Sequence, residues 1–252
     1  MTEGTRVDAH VKVLDEAVAA RAKRRGLDVL VYAPHFTRWP QIQTQARRYT
    51  DDELVVVPGR ELFTGSWRDR RHVLALDLER PMPDFLTLEG TMNELADQDA
   101  IVLVPHPSFA TVSLEREHVG TYSDVVDAIE VYNPKFLPWH DDRARRLAEE
   151  FDCPTFASSY AHLPGTVGEV WTRFEDDITS AADLHAAIRE GRPRLPQRRG
   201  GPAHVRRRAA EVAHLGWENT WQKFDRLLLT GTEPTHPGHV AYGGEFDDVR
   251  VY

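Results

Sequence analysis

Cysteine, lysine and long apolar runs are scarce in this sequence of 252 residues. Its one cysteine, Cys153, excludes an internal disulfide and fits a reducing compartment, so we expect a cytoplasmic protein. No apolar stretch approaches the roughly 18 residues that a membrane-spanning helix needs. The polar N-terminus also differs from a signal peptide, and we therefore expect no membrane partner.

Lysine is rare beside abundant arginine, since only Lys12, Lys23, Lys135 and Lys223 are lysines among 31 lysines and arginines. The formal net charge is −9, which argues against a nucleic-acid backbone as a partner. A local cluster of arginines could still bind a phosphate group. Composition leaves the oligomeric state open.

Short apolar runs alternate with helical patterns along most of the chain. This alternation favours an α/β fold with a parallel sheet, because parallel neighbours need crossover connections. About seven strands without a break into two layers favour a closed or nearly closed barrel. We predict strands at residues 6–13, 27–32, 54–57, 72–78, 101–104, 128–133 and 154–157, and helices at residues 15–25, 37–50, 88–97 and 141–151.

The composition changes near residue 191, where proline, glycine and arginine become frequent. This change indicates a barrel domain over residues 6–190 and a linker or exposed loop after it. A helix is then predicted over about 202–229, followed by an irregular tail that packs on the barrel. Polar groups at 214–219 and 233–239 could reach the barrel mouth, or these segments could serve only in packing.

Histidines and one glutamate stand at the edges of the predicted strands. Glu61 follows the run 55–57 and the turn Pro58-Gly59, and His72 begins the next run. Taken alone, this pair could equally be a capping carboxylate and an ordinary strand histidine. The carboxyl ends of barrel strands meet on one face, however, and imidazoles with a carboxylate suit Zn²⁺, Mn²⁺ or Fe²⁺. The converging candidates are His10, His35, Glu61, His72, His106 and His162.

These residues lie in segments that resemble the motifs of the PHP (polymerase and histidinol phosphatase) family of metal-dependent phosphoesterases. The resemblance covers roughly residues 6–190 and implies a distorted TIM-like (β/α)7 barrel, here with a C-terminal helical extension. The similar segments are Asp8-Ala9-His10-Val11-Lys12, Ala33-Pro34-His35, Pro58-Gly59-Arg60-Glu61, His72-Val73-Leu74, Val104-Pro105-His106-Pro107, Asp127-Ala128-Ile129-Glu130-Val131-Tyr132-Asn133 and Ser158-Ser159-Tyr160-Ala161-His162.

The chain also departs from the family pattern. Lys12 replaces a histidine, Tyr160 replaces an aspartate, and the loop that carries a further ligand is missing after residue 12. The resemblance implies three metal positions, so we expect one to two ions. The implied ligands are Glu61, His72 and His106 at the first position, His10 and Glu61 at the second, and His35 and His162 at the third.

Lys12 could place an ammonium beside Glu61 where the second ion would lie, or its side chain could extend to solvent. Tyr160 could donate a hydrogen bond to a substrate or block the site. Arg60, Arg68, Arg70 and Arg71 could bind a phosphoryl group or form a solvated loop. We assign candidate catalytic roles to Lys12, Tyr160 and Arg60.

The resulting hypothesis is a metal-dependent phosphoesterase that hydrolyses a small phosphorylated metabolite or nucleotide with metal-activated water. The competing hypothesis is a barrel that has lost catalysis and acts as a binding or regulatory protein. Amide or ester hydrolysis is a third possibility, because metal-activated water is not selective by itself.

Overall fold

The computed structural model describes residues 4–66, 69–108, 112–217 and 234–251. In these ranges nine strands form one sheet and seven α-helices pack around it. The strands are β1 (Thr5–Val11), β2 (Val29–Tyr32), β3 (Val55–Gly65), β4 (Arg70–Leu76), β5 (Ile101–Val104), β6 (Val126–Tyr132), β7 (Thr155–Ala157), β8 (Val170–Phe174) and β9 (Arg194–Arg198). The helices are α1 (Glu16–Arg24), α2 (Trp39–Tyr49), α3 (Leu88–Asp97), α4 (Arg116–Thr121), α5 (Pro138–Glu150), α6 (Ala181–Arg189) and α7 (Pro202–Trp217).

The sheet is a nearly closed barrel with the strand order β7-β6-β5-β4-β3-β2-β1-β8-β9. Its two ends approach each other, since Arg194 Nε in β9 donates to the carbonyl of Thr155 in β7 over 3.1 Å. The barrel-like α/β fold predicted from the sequence is therefore confirmed. The all-parallel arrangement is wrong, because β4, β8 and β9 each run antiparallel to their neighbours.

Local sequence signals explain several helix ends. The Asp15 side chain accepts a hydrogen bond from Val18 N over 2.8 Å, which caps α1 as its position predicts. Gly26 follows the end of α1 with φ +69°, a left-handed conformation that glycine adopts readily. In α2, Pro40 lies in the first turn, where a missing N–H costs no helical hydrogen bond.

Strand β3 continues through Pro58 and Gly59, where the sequence predicted a turn. Pro58 is the last residue paired with β2, and from Gly59 onward the strand pairs with β4. Proline is tolerated at this change of partner because it donates no ladder hydrogen bond. A Cβ at position 59 would lie 2.8 Å from Leu76 and 2.9 Å from Val31, so glycine permits the close approach. Glu61 consequently lies within a strand and not after it.

The segment after residue 190 also differs from the prediction. Residues 194–198 form β9, which pairs with β8 along its length, so the predicted loop is wrong there. The following helix α7 ends at Trp217 among the described residues, and the predicted part from 218 to 229 lies outside them. The domain boundary at residue 190 stays a prediction. No helix among the described residues is long and apolar enough to cross a membrane.

Candidate metal centre at the barrel mouth

Glu61 is fully buried and lies at the centre of a ring of imidazoles. Its Oε1 atom is 3.1 Å from His72 Nδ1 and 3.0 Å from His106 Nε2. Its Oε2 atom is 3.0 Å from His35 Nε2 and 3.4 Å from His10 Nε2. Four imidazoles, two from strands and two from strand-end loops, thus meet around one carboxylate.

The strand directions explain this convergence. His35 and His106 follow the carboxyl ends of β2 and β5, and His10 lies near the end of β1. His72 instead lies near the start of its strand, but β4 runs antiparallel to β3 and β5. Its beginning therefore reaches the same face of the barrel as the carboxyl ends of the parallel strands.

A second buried carboxylate fixes the position of His106. This residue has φ +35°, an unusual backbone conformation for a non-glycine residue. The Glu130 carboxylate accepts a hydrogen bond from His106 N over 2.7 Å and from Asn133 Nδ2 over 2.9 Å. Glu130 is fully buried, and this burial raises its pKa. It acts on the centre by holding the loop that carries His106.

Burial keeps the imidazoles of the mouth uncharged. Desolvation lowers the pKa of His10, His35, His72 and His162 well below the usual value, and lowers that of His106 to about 4. Nearby lysine ammoniums lower the pKa of each of these rings further. Neutral imidazole is the form that binds metal ions.

The donor set fits a divalent ion. Ligand atoms of His35, Glu61 and His72 all lie within 4.8 Å of one another. In addition, His35 Nδ1, His72 Nε2 and both ring nitrogens of His10 are buried and make no hydrogen bond within the described part of the chain.

Lys12 projects into the same cluster. Its Nζ contacts Glu61 Oε2 and donates a hydrogen bond to the carbonyl of Ala33 over 2.9 Å. The side chain is only 5% exposed, so the alternative in which it extends to solvent is wrong. A protonated amine cannot bind a metal ion, and here it places a positive charge directly beside the carboxylate.

Tyr160 fills the space between the histidines. Its ring centroid lies 4.7 Å from that of His10, 5.0 Å from that of His106 and 4.9 Å from that of His162. The residue is 5% exposed and has φ +44°. The ring therefore occupies the middle of the mouth, where the family pattern has a carboxylate.

His162 packs edge-on against the Tyr160 ring, and its polar contacts are with Lys135 and Glu211. Its Nδ1 is 2.6 Å from Lys135 Nζ, and its backbone N–H donates to Glu211 Oε1 over 3.0 Å. Where the resemblance implies a third ion, the structure therefore has a lysine and a glutamate 3.6 Å apart. Sequence reasoning missed both residues, although the rarity of lysine was a signal for Lys135.

Of the arginines that could bind a phosphoryl group or form a solvated loop, Arg60 has a buried acidic partner. Arg60 is 1% exposed and pairs with Asp84 over 2.6 Å. It precedes Glu61 in β3, and successive side chains of a strand point to opposite faces. The catalytic role predicted for Arg60 stays a prediction, and a side chain on the opposite face of the strand from Glu61 does not favour it. Arg70 packs on the ring of Phe63, and Arg68 lies outside the described residues.

The tail contributes at a different place than predicted. Glu211 in α7 reaches the mouth, whereas the proposed segment began at His214, whose ring is 6.4 Å from that of His162. Trp217, in the segment for which packing was the alternative role, is 59% exposed. Residues 218–233 lie outside the described part of the chain.

In comparison with known proteins, a family model matches one segment of the sequence, and solved structures share the fold. Residues 138–193 match the family model described as PHP-associated. PsfC from Pseudomonas syringae PB-5123 is similar in structure, with a TM-score of 0.66 and 22% identity over 85% of this chain and 100% of PsfC. A search of curated proteins found no match.

Two further solved structures have the same fold. The lesion-specific endonuclease PfuEndoQ from Pyrococcus furiosus gives a TM-score of 0.57 with 17% identity, over 76% of this chain and 57% of the endonuclease. A candidate metal-dependent phosphoesterase from Bifidobacterium adolescentis gives 0.53 with 13% identity, over 75% of this chain and 97% of that protein. At such identities the likeness establishes the shared fold alone.

Proposed function

We propose that this chain is a phosphoesterase that uses a divalent metal ion. Its predicted resemblance to the PHP family is confirmed by the family-model match and the shared fold. The ion would be held by Glu61, His35 and His72, with His106 as a further ligand on the Oε1 side. The observation that supports this most is the fully buried Glu61 with neutral imidazoles at 3.0–3.1 Å from both of its oxygens.

When bound, a divalent ion supplies Lewis-acid chemistry, which activates water and neutralises charge on a phosphoryl oxygen. The chain's own residues would orient and balance this centre. Lys12 holds a positive charge at Glu61 Oε2, the position that the resemblance assigns to a second ion. Glu130 holds the His106 loop, and the Tyr160 ring excludes water from the middle of the mouth.

The proposed substrate is a small phosphorylated metabolite or a nucleotide. The expectation that excludes nucleic acid as a partner is not supported, because one of the similar structures is an endonuclease Q in complex with a 27-mer duplex. Substrate tests should therefore include oligonucleotides beside small phosphate esters.

Bound metal and hydrolysis of para-nitrophenyl phosphate would test the proposal in one set of samples. We expect at least one equivalent of Zn, Mn or Fe by elemental analysis, and loss of both metal and activity in His72→Ala. The matched control is His185→Ala, which removes a mostly buried histidine in α6 that pairs with Asp77 over 3.1 Å, away from the mouth. It should retain both properties.

The same measurements address the competing hypothesis. Less than one equivalent of metal and no hydrolysis of any phosphate ester would contradict the enzyme and favour a binding or regulatory barrel. If metal is bound, comparison of His35→Ala with His106→Ala identifies the third ligand, since the variant that lacks it loses more metal.

A further inference from the structure

The Glu211 carboxylate lies in a pocket of hydrogen-bond donors beside the metal centre. Its Oε1 atom accepts from His162 N over 3.0 Å and from Leu163 N over 2.9 Å, and also from the Thr166 hydroxyl. The Lys135 ammonium is 3.6 Å from the other oxygen, Oε2. Two successive backbone N–H groups, a hydroxyl and an ammonium thus converge on one anionic group. We call these four donors the anion pocket.

The anion pocket is buried and already assembled. Glu211 is 0% exposed, Thr166 is 1% exposed and Lys135 is 4% exposed. Lys135 also donates to the carbonyl of Tyr160 over 2.9 Å, and its Nζ lies 3.7 Å from the centre of that ring. Fixed donors of this kind bind an oxyanion without the cost of ordering them.

Glu211 uses the hydrogen-bonding capacity of the anion pocket only in part. Its Oε2 atom is buried and makes no hydrogen bond within the described residues, although the Lys135 ammonium is near. A carboxylate has two oxygens, whereas a phosphoryl group offers three and a greater negative charge. The same four donors would therefore bind a phosphoryl group at least as well as the side chain that occupies them.

The use of lysine at this place has a physical reason. Lys12 and Lys135 are both buried at the mouth, and both face the Tyr160 ring, at 5.7 and 3.7 Å from its centre. An ammonium is compact and offers three rotatable donors, whereas the wide planar guanidinium needs more space. Arginine replaces lysine at nearly every other basic position.

We propose that the anion pocket is the binding site for the phosphoryl group of the substrate, and that Glu211 of α7 occupies it until substrate displaces the helix. The proposal rests on the proposed function, which supplies the phosphoryl group. The anion pocket and the candidate metal centre are neighbours, since Tyr160 contacts both the anion pocket and the histidines around Glu61. Helix α7 is then an internal competitor for phosphate.

Calorimetric titration of the full, metal-loaded chain with inorganic phosphate tests this inference. Glu211→Ala empties the anion pocket and should tighten phosphate binding at least tenfold, whereas Lys135→Met removes a donor and should weaken it at least tenfold. Glu117→Ala and Lys23→Met remove exposed residues of the same types and should change nothing. Thermal unfolding would show that each variant is folded, and Glu211→Gln gives a second variant of the same shape.

Weaker or unchanged phosphate binding in folded Glu211→Ala and Glu211→Gln would overturn the inference and leave Glu211 as a structural anchor. Unchanged phosphate binding in Lys135→Met would overturn it as well. Absence of bound metal from the wild-type chain would contradict the proposed function instead, so the two failures can be told apart.

Discussion

The buried ion pair between Lys12 and Glu61 gives a prediction that needs no substrate. The two side chains are 5% and 0% exposed, so water solvates neither charge. Lys12→Met keeps an unbranched apolar stem and removes the ammonium. In the metal-free protein Glu61 then lacks its charged partner, and loss of one partner of a buried pair costs about 3–5 kcal/mol of unfolding free energy.

A divalent ion should reverse this loss, because it brings positive charge to the same carboxylate. An ion that binds only the folded protein adds about 4.1 kcal/mol when its concentration is about 1,000 times the dissociation constant. Urea unfolding, with chelator and then with Mn²⁺ or Zn²⁺, would measure both effects. We expect metal to stabilise Lys12→Met more than the wild type, since in the wild type the Lys12 ammonium competes for Glu61.

Lys23→Met is the matched control for this experiment. Lys23 pairs with Asp51 on the surface, with side chains 25% and 51% exposed, and exposed pairs contribute little to stability. The proposed role of Lys12 would be refuted if the metal-free Lys12→Met and Lys23→Met proteins unfolded at the same urea concentration as the wild type.

Two further predictions concern groups outside the centre. Asp84→Ala removes the partner of the buried Arg60 and should cost about 3–5 kcal/mol by urea unfolding, while Arg60→Met with Asp84→Ala should recover much of this loss. A single variant no less stable than the wild type would contradict the structural role of the pair. Burial raises the pKa of Cys153 from 9.0 to about 11, so its thiolate fraction at pH 8 falls by about 100-fold. Iodoacetamide should therefore modify it about 100 times more slowly in the folded than in the unfolded chain, and equal rates would contradict the raised pKa.

Local sequence patterns predicted most of the elements. The span 88–97 matches α3 and the span 101–104 matches β5, because capping residues and uniform apolar runs act over a few neighbouring residues. The predictions failed where strand pairing overrides local chemistry. Pro58-Gly59 reads as a turn, yet it lies at the point where β3 changes partner from β2 to β4.

The candidate site shows the same division. His35, Glu61, His72 and His106 could be chosen from the sequence because each lies in a recognisable motif. The partners of His162 could not be chosen in this way. Glu211 lies 49 residues further along the chain in a helix, and only the packing of α7 brings it to the mouth.

The sequence by itself determined the composition of the centre: which strands carry imidazoles, where the carboxylate stands, and where lysine and tyrosine replace expected ligands. The tertiary structure alone decided which of these charged groups lie beside each other. Whether Lys12 faces Glu61 or solvent, and whether Glu211 reaches Lys135, depends on strand direction and helix packing. Both are set by contacts between residues far apart in the chain, which periodicity and spacing do not record.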